Sequence, residues 1–443
     1  MLAAALLSVV GCGLDVTDPD IVEPEDVYND PNSVPIIIAG LVEDFQSSLD
    51  SYVLFSGMFV DEFIHSSTYP NEIRVDRREI IPGEVREPYP QLHASRMSAD
   101  AALLAFESMQ EDPAADPDLL RRGLAYALYY GAYARLLLAE MYCQSILGGG
   151  DPAAVGFEPA PLLPDERMRE ALVRFAQAEE AAGAAGMRDL AMAARIGRAR
   201  AHMWLGEYSA AASLIAGVDP EFRFLAWYSS NSFIQWNYVY AYTHGDVVEI
   251  RYTVGDGSAP TRFLERFAFY DEWVDAGLID PEPGPAFQTF DATIPVSLQL
   301  IYGGGQPPPN ATGRAAPIII ASGFGAAIMQ AEAEYRAGDL AQAELLINER
   351  LTTGLNPHGK VFTPVRFTGD FVADIREIGR AYSAGLWLTG HRLGFMRRVL
   401  SNDGVDLYPA EQPGRDTAFP LMLQEVDNNP SVDEACPTGP PWS

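Results

Sequence analysis

Six tryptophan and tyrosine side chains crowd one polar stretch of this chain. Residues 222–246 read FRFLAWYSSNSFIQWNYVYAYTHGD, setting Trp227, Tyr228, Trp236, Tyr238, Tyr240 and Tyr242 among Ser and Asn. Sugar rings offer apolar faces to aromatic planes and hydroxyls to Asn, Ser and Asp, so the mixture suits a glycan. Tyr and Trp bring a large contact area with a polar tip. The stretch reads as a strand or a helix; as a strand, the alternation of Trp236, Tyr238, Tyr240 and Tyr242 would place all four on one face. Such a face serves a core as readily as a groove, and whichever rings stay exposed are the binding candidates. A second candidate site is Tyr302 beside GGGQPPPN, with Gln306 and Asn310 as polar partners.

Bond-making chemistry finds little support. The chain has no Gly-x-Ser-x-Gly elbow, no His-Glu-x-x-His pair and no glycine-rich phosphate loop. The histidines His65, His93, His202, His244, His358 and His391 are scattered. With 61 carboxylates, any one acidic pair carries almost no information about a glycosidase dyad. The expectation is a protein that is not an enzyme, with no catalytic residues. Cysteine and histidine form no metal-type cluster. DVTDPD and DNNPSVDEA offer oxygens to Ca²⁺ but lack EF-hand spacing, so they read as solvated turns and no metal or other cofactor is expected. The net charge of −31 argues against nucleic acid, whose phosphates need clustered Lys and Arg.

Cys12 ends a short apolar run, LLSVVGC, ahead of the acidic stretch LDVTDPDIVEPEDVYNDP. Residues 1–11 fall far short of the roughly 20 needed to span a bilayer, and read as the apolar core of a secretion signal. The first Lys or Arg is Arg74, so the basic segment that opens such signals is expected upstream of Met1. Val9-Val10-Gly11-Cys12 resembles a bacterial lipobox, which makes Cys12 the lipidation site; Gly13 after it favours the outer membrane. Residues 12–32 then form a solvated acidic leader. Cys143 reads as a small buried hydrophobe in an apolar helix; a bond to Cys436 is permitted outside the cytoplasm, though spacing does not dictate it.

The rest, residues 33–443, reads as one mainly α body. Apolar residues recur every three or four positions in SVPIIIAGLVEDFQSSLDSYVLFSGMFVDEF, in ADAALLAFESMQ and in LLRRGLAYALYYGAYARLLLAEMYCQSI. RMREALVRFAQAEEAA and RDLAMAARIGRARAHMWLG follow as a helix pair. WLGEYSAAASLI and AEAEYRAGDLAQAELLINERL share one pattern: a large residue, a turn glycine (Gly206, Gly338), an aromatic or apolar residue and then alanines. Both predict tetratricopeptide-type hairpins in which alanines let two helices approach. The helical scaffold is expected over about residues 95–218 and 318–400, with a loop-rich elaboration over about 219–317, where binding surfaces tend to reside.

The closing segments LWLTGHRLGFMRRVL and FPLMLQEVDNNP are similar to the ending of the SusD/RagB family of nutrient-uptake outer-membrane lipoproteins. The match rests on Gly390, Arg392, Arg398, Pro420, Glu425, Asn429 and Pro430. It departs at Phe395 and Met396, where the family carries Asp and Leu, and at GRAYSAG, which lacks the family's acidic lead. Read from their chemistry, the motif residues maintain the fold: Gly390 permits close packing, the arginines fork onto carboxylates or carbonyls, and the prolines stiffen extended chain. The resemblance implies a superhelix of helix pairs, capture of a nutrient (commonly a glycan) at the cell surface, and delivery to a SusC-like TonB-dependent transporter. The competing reading is a surface scaffold whose task is self-association or partner contact.

Overall fold

A computed structural model describes residues 27–62, 64–65, 69–85, 87–146, 161–239, 241, 252–253, 313–357, 359, 361–408, 416–429 and 432. The signal, Cys12 and most of the leader lie outside them, as do Tyr240, Tyr242, Tyr302, Asn310 and Pro430.

The first long run is a single helix, α1 (Val34–Phe59), opened by a proline in its first turn. Val34, Ile37, Leu41, Phe45, Leu49 and Tyr52 bury at helical spacing, and beyond Tyr52 the helix is buried on all sides. A short helix α2 (Pro70–Asp76) leads to α3 (Tyr89–Ser108) and α4 (Pro117–Met141). Asp116 caps α4 by accepting from the Asp118 and Leu119 amides, satisfying donors that the first turn leaves open. From Ala127 to Met141 every residue of α4 is buried. A helix apolar on all faces belongs at the centre of a domain, and α1, α3 and α5 pack around it.

Helices α5 (Pro164–Ala184), α6 (Arg188–Trp204) and α7 (Tyr208–Ile215) continue the antiparallel stacking. Helices α8 (Gly323–Arg336) and α9 (Leu340–Leu351) form the second predicted hairpin, and α8 packs on α7. Gly206 and Gly338 turn these hairpins at φ of +73° and +94°, a region where a Cβ clashes with the chain. Helices α10 (Phe371–Gly385), α11 (Arg392–Asp403) and the short α12 (Leu423–Asn428) complete the described body. The fold is therefore mainly helical and built of tetratricopeptide-like pairs.

Strands are marginal. β1 (Ile64–His65), β2 (Ser145–Ile146), β3 (Pro161–Leu162), β4 (Arg223–Ala226), β5 (Tyr252–Thr253) and β6 (Ile318–Ser322) make three antiparallel pairs, β1 with β5, β2 with β3 and β4 with β6.

Charged side chains are locked inside the helical frame. Arg200 on α6 forks onto Glu140 on α4 and also donates to the Tyr133 hydroxyl at 3.1 Å and the Gly390 carbonyl at 3.0 Å. The Tyr52 hydroxyl donates to Glu140 at 3.0 Å. Arg398 on α11 forks onto Glu332 on α8, and Arg336 bridges Glu332 to Asp403.

Cys143 departs from its expected place. It sits just past the end of α4 rather than within it, donating its amide to the Phe419 carbonyl at 3.0 Å. It is buried and also disulfide-bonded, so a small buried hydrophobe is an incomplete description. Both other cysteines, Cys12 and Cys436, lie outside the described residues. Among the described residues no helix is long and apolar enough to cross a membrane.

Candidate functional site

Strand β4 feeds the aromatic stretch onto the flank of α1. It pairs with β6 through a register shift between Phe224 and Leu225, and the chain leaves the sheet at Trp227. The Ser229 amide then bonds the Gln235 carbonyl at 2.8 Å, closing a loop over a 3₁₀ turn at Phe233–Gln235. Asn237 ends the loop. Fully buried, it donates its side-chain amide to the Ala316 carbonyl at 2.8 Å and its backbone N–H to the Arg314 carbonyl at 2.8 Å.

These bonds correct one expectation. Trp236 and Tyr238 do not share the face of a strand: Tyr238 and Val239 are helical, and so is Ala241. Asn237 turns the chain inward by bonding to residues nearly eighty positions away, and no local alternation survives that demand.

The described rings fall into two groups. Trp227 is 49% exposed, and Phe233 and Ile234 are 51% and 66% exposed. Tyr228, Trp236 and Tyr238 are half-buried beneath or beside them. Phe233 meets Trp236 edge-on at 5.1 Å and Tyr238 edge-on at 5.3 Å, and the Tyr238 hydroxyl donates to the Phe233 carbonyl at 3.1 Å. The Arg314 guanidinium lies 3.7 Å over the Trp236 ring, a cation–π contact. The Trp236 indole N–H is buried and has no hydrogen-bond partner among the described residues.

Helix α1 supports this face from below. Gln46 donates to the Trp227 carbonyl, and its own carbonyl accepts from the Tyr228 hydroxyl at 3.2 Å. One turn on, Asp50 accepts from the Tyr238 backbone N–H at 3.2 Å. Burial pushes the Asp50 carboxyl well above the usual carboxylate range, against a smaller pull from Tyr228 and the Tyr238 amide. Sequence reasoning found Trp227, Tyr228, Trp236 and Tyr238 but missed Phe233, Ile234, Arg314, Gln46 and Asp50. Phe233 and Ile234 had a visible cue, being two large apolar residues inside the polar run SNSFIQ.

The C-terminal motif residues lie elsewhere, in the frame. Gly390 has φ of +72°, and a Cβ there would come within 2.8 Å of the Tyr52 ring. Arg392 donates to the Ser383 hydroxyl at 2.8 Å, and burial lowers its pKa, with Glu62 opposing. Arg398 holds Glu332 and approaches the Tyr382 hydroxyl. Pro420 follows Phe419, whose amide donates to the Met141 carbonyl at 2.9 Å. Glu425 is half-buried, which raises its carboxyl, and its carbonyl accepts from the buried Asn429. None of the described motif residues is among the contacts of the aromatic face. Among the described residues no cluster of His, Cys, Asp or Glu is arranged to hold a metal ion.

A mainly α superhelix of hairpins with a loop segment seated on its first helix is a SusD-like architecture. Three solved structures illustrate the likeness. A SusD superfamily protein from Bacteroides thetaiotaomicron matches with a TM-score of 0.70 at 12% identity, over 92% of this chain and 100% of that one. One from Bacteroides fragilis matches with a TM-score of 0.66 at 12% identity, over 91% and 98%. A SusD-like carbohydrate binding protein from Bacteroides vulgatus matches with a TM-score of 0.62 at 11% identity, over 92% and 98%. No family model and no curated protein matches the sequence. The chain thus has the SusD fold on a sequence that has diverged far from these neighbours.

Proposed function

We propose that this protein is a non-catalytic receptor for a nutrient glycan, held outside the cell at the outer membrane by lipid on Cys12. It passes its ligand to a SusC-like TonB-dependent transporter. The observation that carries the reading is that two rings of one loop stay about half exposed, Trp227, whose carbonyl is held by Gln46, and Phe233, braced edge-on by Trp236 and Tyr238. Exposed rings on a braced support are what stacking on sugar requires. A solved neighbour of the same fold is described as carbohydrate binding. The Cys143 disulfide supports an oxidising compartment. A glycan array followed by calorimetry tests the proposal: binding by the wild type should weaken at least tenfold in Trp227→Ala. An empty array, or binding indifferent to Trp227 and Phe233, overturns it.

A second reading has its own support. Ile36 on α1 and Met97 and Leu104 on α3 are each more than half exposed, and exposed apolar side chains are what a protein contact would cover. A surface scaffold would show as concentration-dependent oligomers in sedimentation, lost in Met97→Glu, with no glycan affinity.

A further inference from the structure

We infer that Cys143 is bonded to Cys436, and that this bond fastens the C-terminal strap, residues 416–432, to the end of α4. Choosing Cys436 over Cys12 rests on the reading of Cys12 as the lipid anchor; the course of the strap does not.

Cysteine arithmetic comes first. The chain has three cysteines, and Cys143 is disulfide-bonded. It is 1% exposed, which keeps its sulfur from a second copy of the chain. Its partner is therefore Cys12 or Cys436. Lipid would hold Cys12 through its sulfur, and a sulfur in a thioether cannot also join a disulfide. Cys436 is left.

The strap brings the chain to the same place. Asp416 fastens its start, donating its amide to the Arg78 carbonyl at 3.0 Å and accepting from the Ile80 amide at 2.7 Å. Phe419 then donates its amide to the Met141 carbonyl at 2.9 Å and accepts from the Cys143 amide at 3.0 Å. Its ring meets Phe59 at 4.9 Å and Tyr142 at 5.8 Å. Past Phe419 the anchoring changes. Leu421, Met422, Asn429 and Val432 are buried. Among the described residues, however, the backbone bonds of Met422 to Val432 close within the segment, Asn429 onto Glu425 and Val432 onto Asn429. Glu425 bears on the Tyr89 hydroxyl, and the Tyr89 ring meets Tyr142 edge-on at 4.9 Å, so α12 stays beside the end of α4. Cys436 follows Val432 by four residues, a reach of at most about 14 Å. A bond from there to Cys143 gives the strap its second fastening, with Pro420, Glu425 and Asn429 between the two.

Closing the bond joins two thiol sulfurs and releases two protons and two electrons. These pass to a disulfide-bearing oxidant, whose own bond becomes a dithiol. Such oxidants act outside the cytoplasm, so the strap is fastened after export.

Peptide mapping by mass spectrometry without reductant, on the full-length protein as purified, should recover one linked pair holding Cys143 and Cys436. A Cys12–Cys143 pair overturns this proposal and the lipid reading together. A free thiol or an intermolecular bond at Cys143 overturns the proposal alone. A Cys143–Cys436 pair beside an unmodified Cys12 sinks the lipid anchor and leaves the bond standing. Hydrogen exchange then tests the fastening. In Cys436→Ser, amides of residues 421–432 should exchange at least about tenfold faster than in wild type. Those of the buried half of α4, Ala127 to Met141, should keep their protection. A strap as protected in Cys436→Ser as in wild type overturns the fastening. If that variant does not fold, wild type compared before and after mild reduction decides the same point.

Discussion

The helical frame and the aromatic face use charge in opposite ways. In the frame, buried cations meet buried anions: Arg200 with Glu140, Arg398 with Glu332, Arg336 with Glu332 and Asp403. Arg336 and Glu332 lie one turn apart on α8, while the other pairs join helices about 60 residues or more apart in sequence and so fix how those helices sit. Beneath the face, Asp50 is buried with no cation bearing on it among the described residues, and the segment above it bonds Gln46, Asp50, Arg314 and Ala316. The frame resists change because breaking it strands a charge. The Trp227 and Phe233 rings are about half exposed, so they can vary at small cost to stability.

The largest effect expected is therefore in the frame. Removing one partner of a buried ion pair strands the other and costs about 3–5 kcal/mol. Glu140→Ala leaves the Arg200 guanidinium without its carboxylate and Tyr52 without its acceptor. Denaturant unfolding should show that loss, and a stability within about 1 kcal/mol of wild type would break the comparison.

Acid should attack the same region next. Burial, together with Arg96, Arg167 and Arg135 nearby, holds His93 at a pKa of about 3, so it is neutral in the fold. The unfolded histidine takes a proton below about 6.5, so its contribution is complete above that pH and is lost as pH falls toward 3. Arg398 and Arg336, outweighing burial, hold Glu332 below the usual carboxylate range. Its contribution is complete above about 4.5 and is lost as pH falls below that. Unfolding free energy measured from neutral pH to about pH 4 should fall by a few kcal/mol, with His93→Gln flattening the upper part of the decline. A flat profile over that window would mean the buried charges are not as drawn.

How much of this was legible beforehand follows from the range of the interactions. Helices α4 to α9 announce themselves through apolar spacing and through Gly206 and Gly338, because helix and turn are decided by residues within one or two turns. The aromatic stretch was legible as composition, yet its shape was not: alternation at Trp236 and Tyr238 reads as a strand, while Asn237 answers to carbonyls of Arg314 and Ala316. Asp50 and Gln46 were invisible for a similar reason. Within α1 they read as polar breaks in an apolar run, and only the returning chain gives them work.

A smaller effect separates backbone from packing in the frame. Gly338 sits at φ of +94°, and a Cβ added there would meet nothing within 4 Å, so Gly338→Ala brings strain but no clash. It should cost about 1–2 kcal/mol, the penalty of a left-handed residue with a Cβ. Thermal unfolding would register it, and a neutral result would mean the hairpin turn relaxes freely.

The smallest effect on stability should fall on the face. Trp227 and Phe233 give up about half their surface to solvent already, so truncating either removes little buried area. Trp227→Ala should leave the Gln46 contact in place, because that bond is to the Trp227 backbone carbonyl rather than the ring. Its unfolding free energy should stay within about 0.5 kcal/mol of wild type, the usual range for a surface change. Phe233→Ala should cost somewhat more, since its ring also braces Trp236 and Tyr238. If Trp227→Ala instead unfolds the protein as Glu140→Ala does, the ring is part of the core, and the division between frame and face fails. If it leaves stability alone while glycan affinity collapses, the two regions are separable in the way their anchoring predicts.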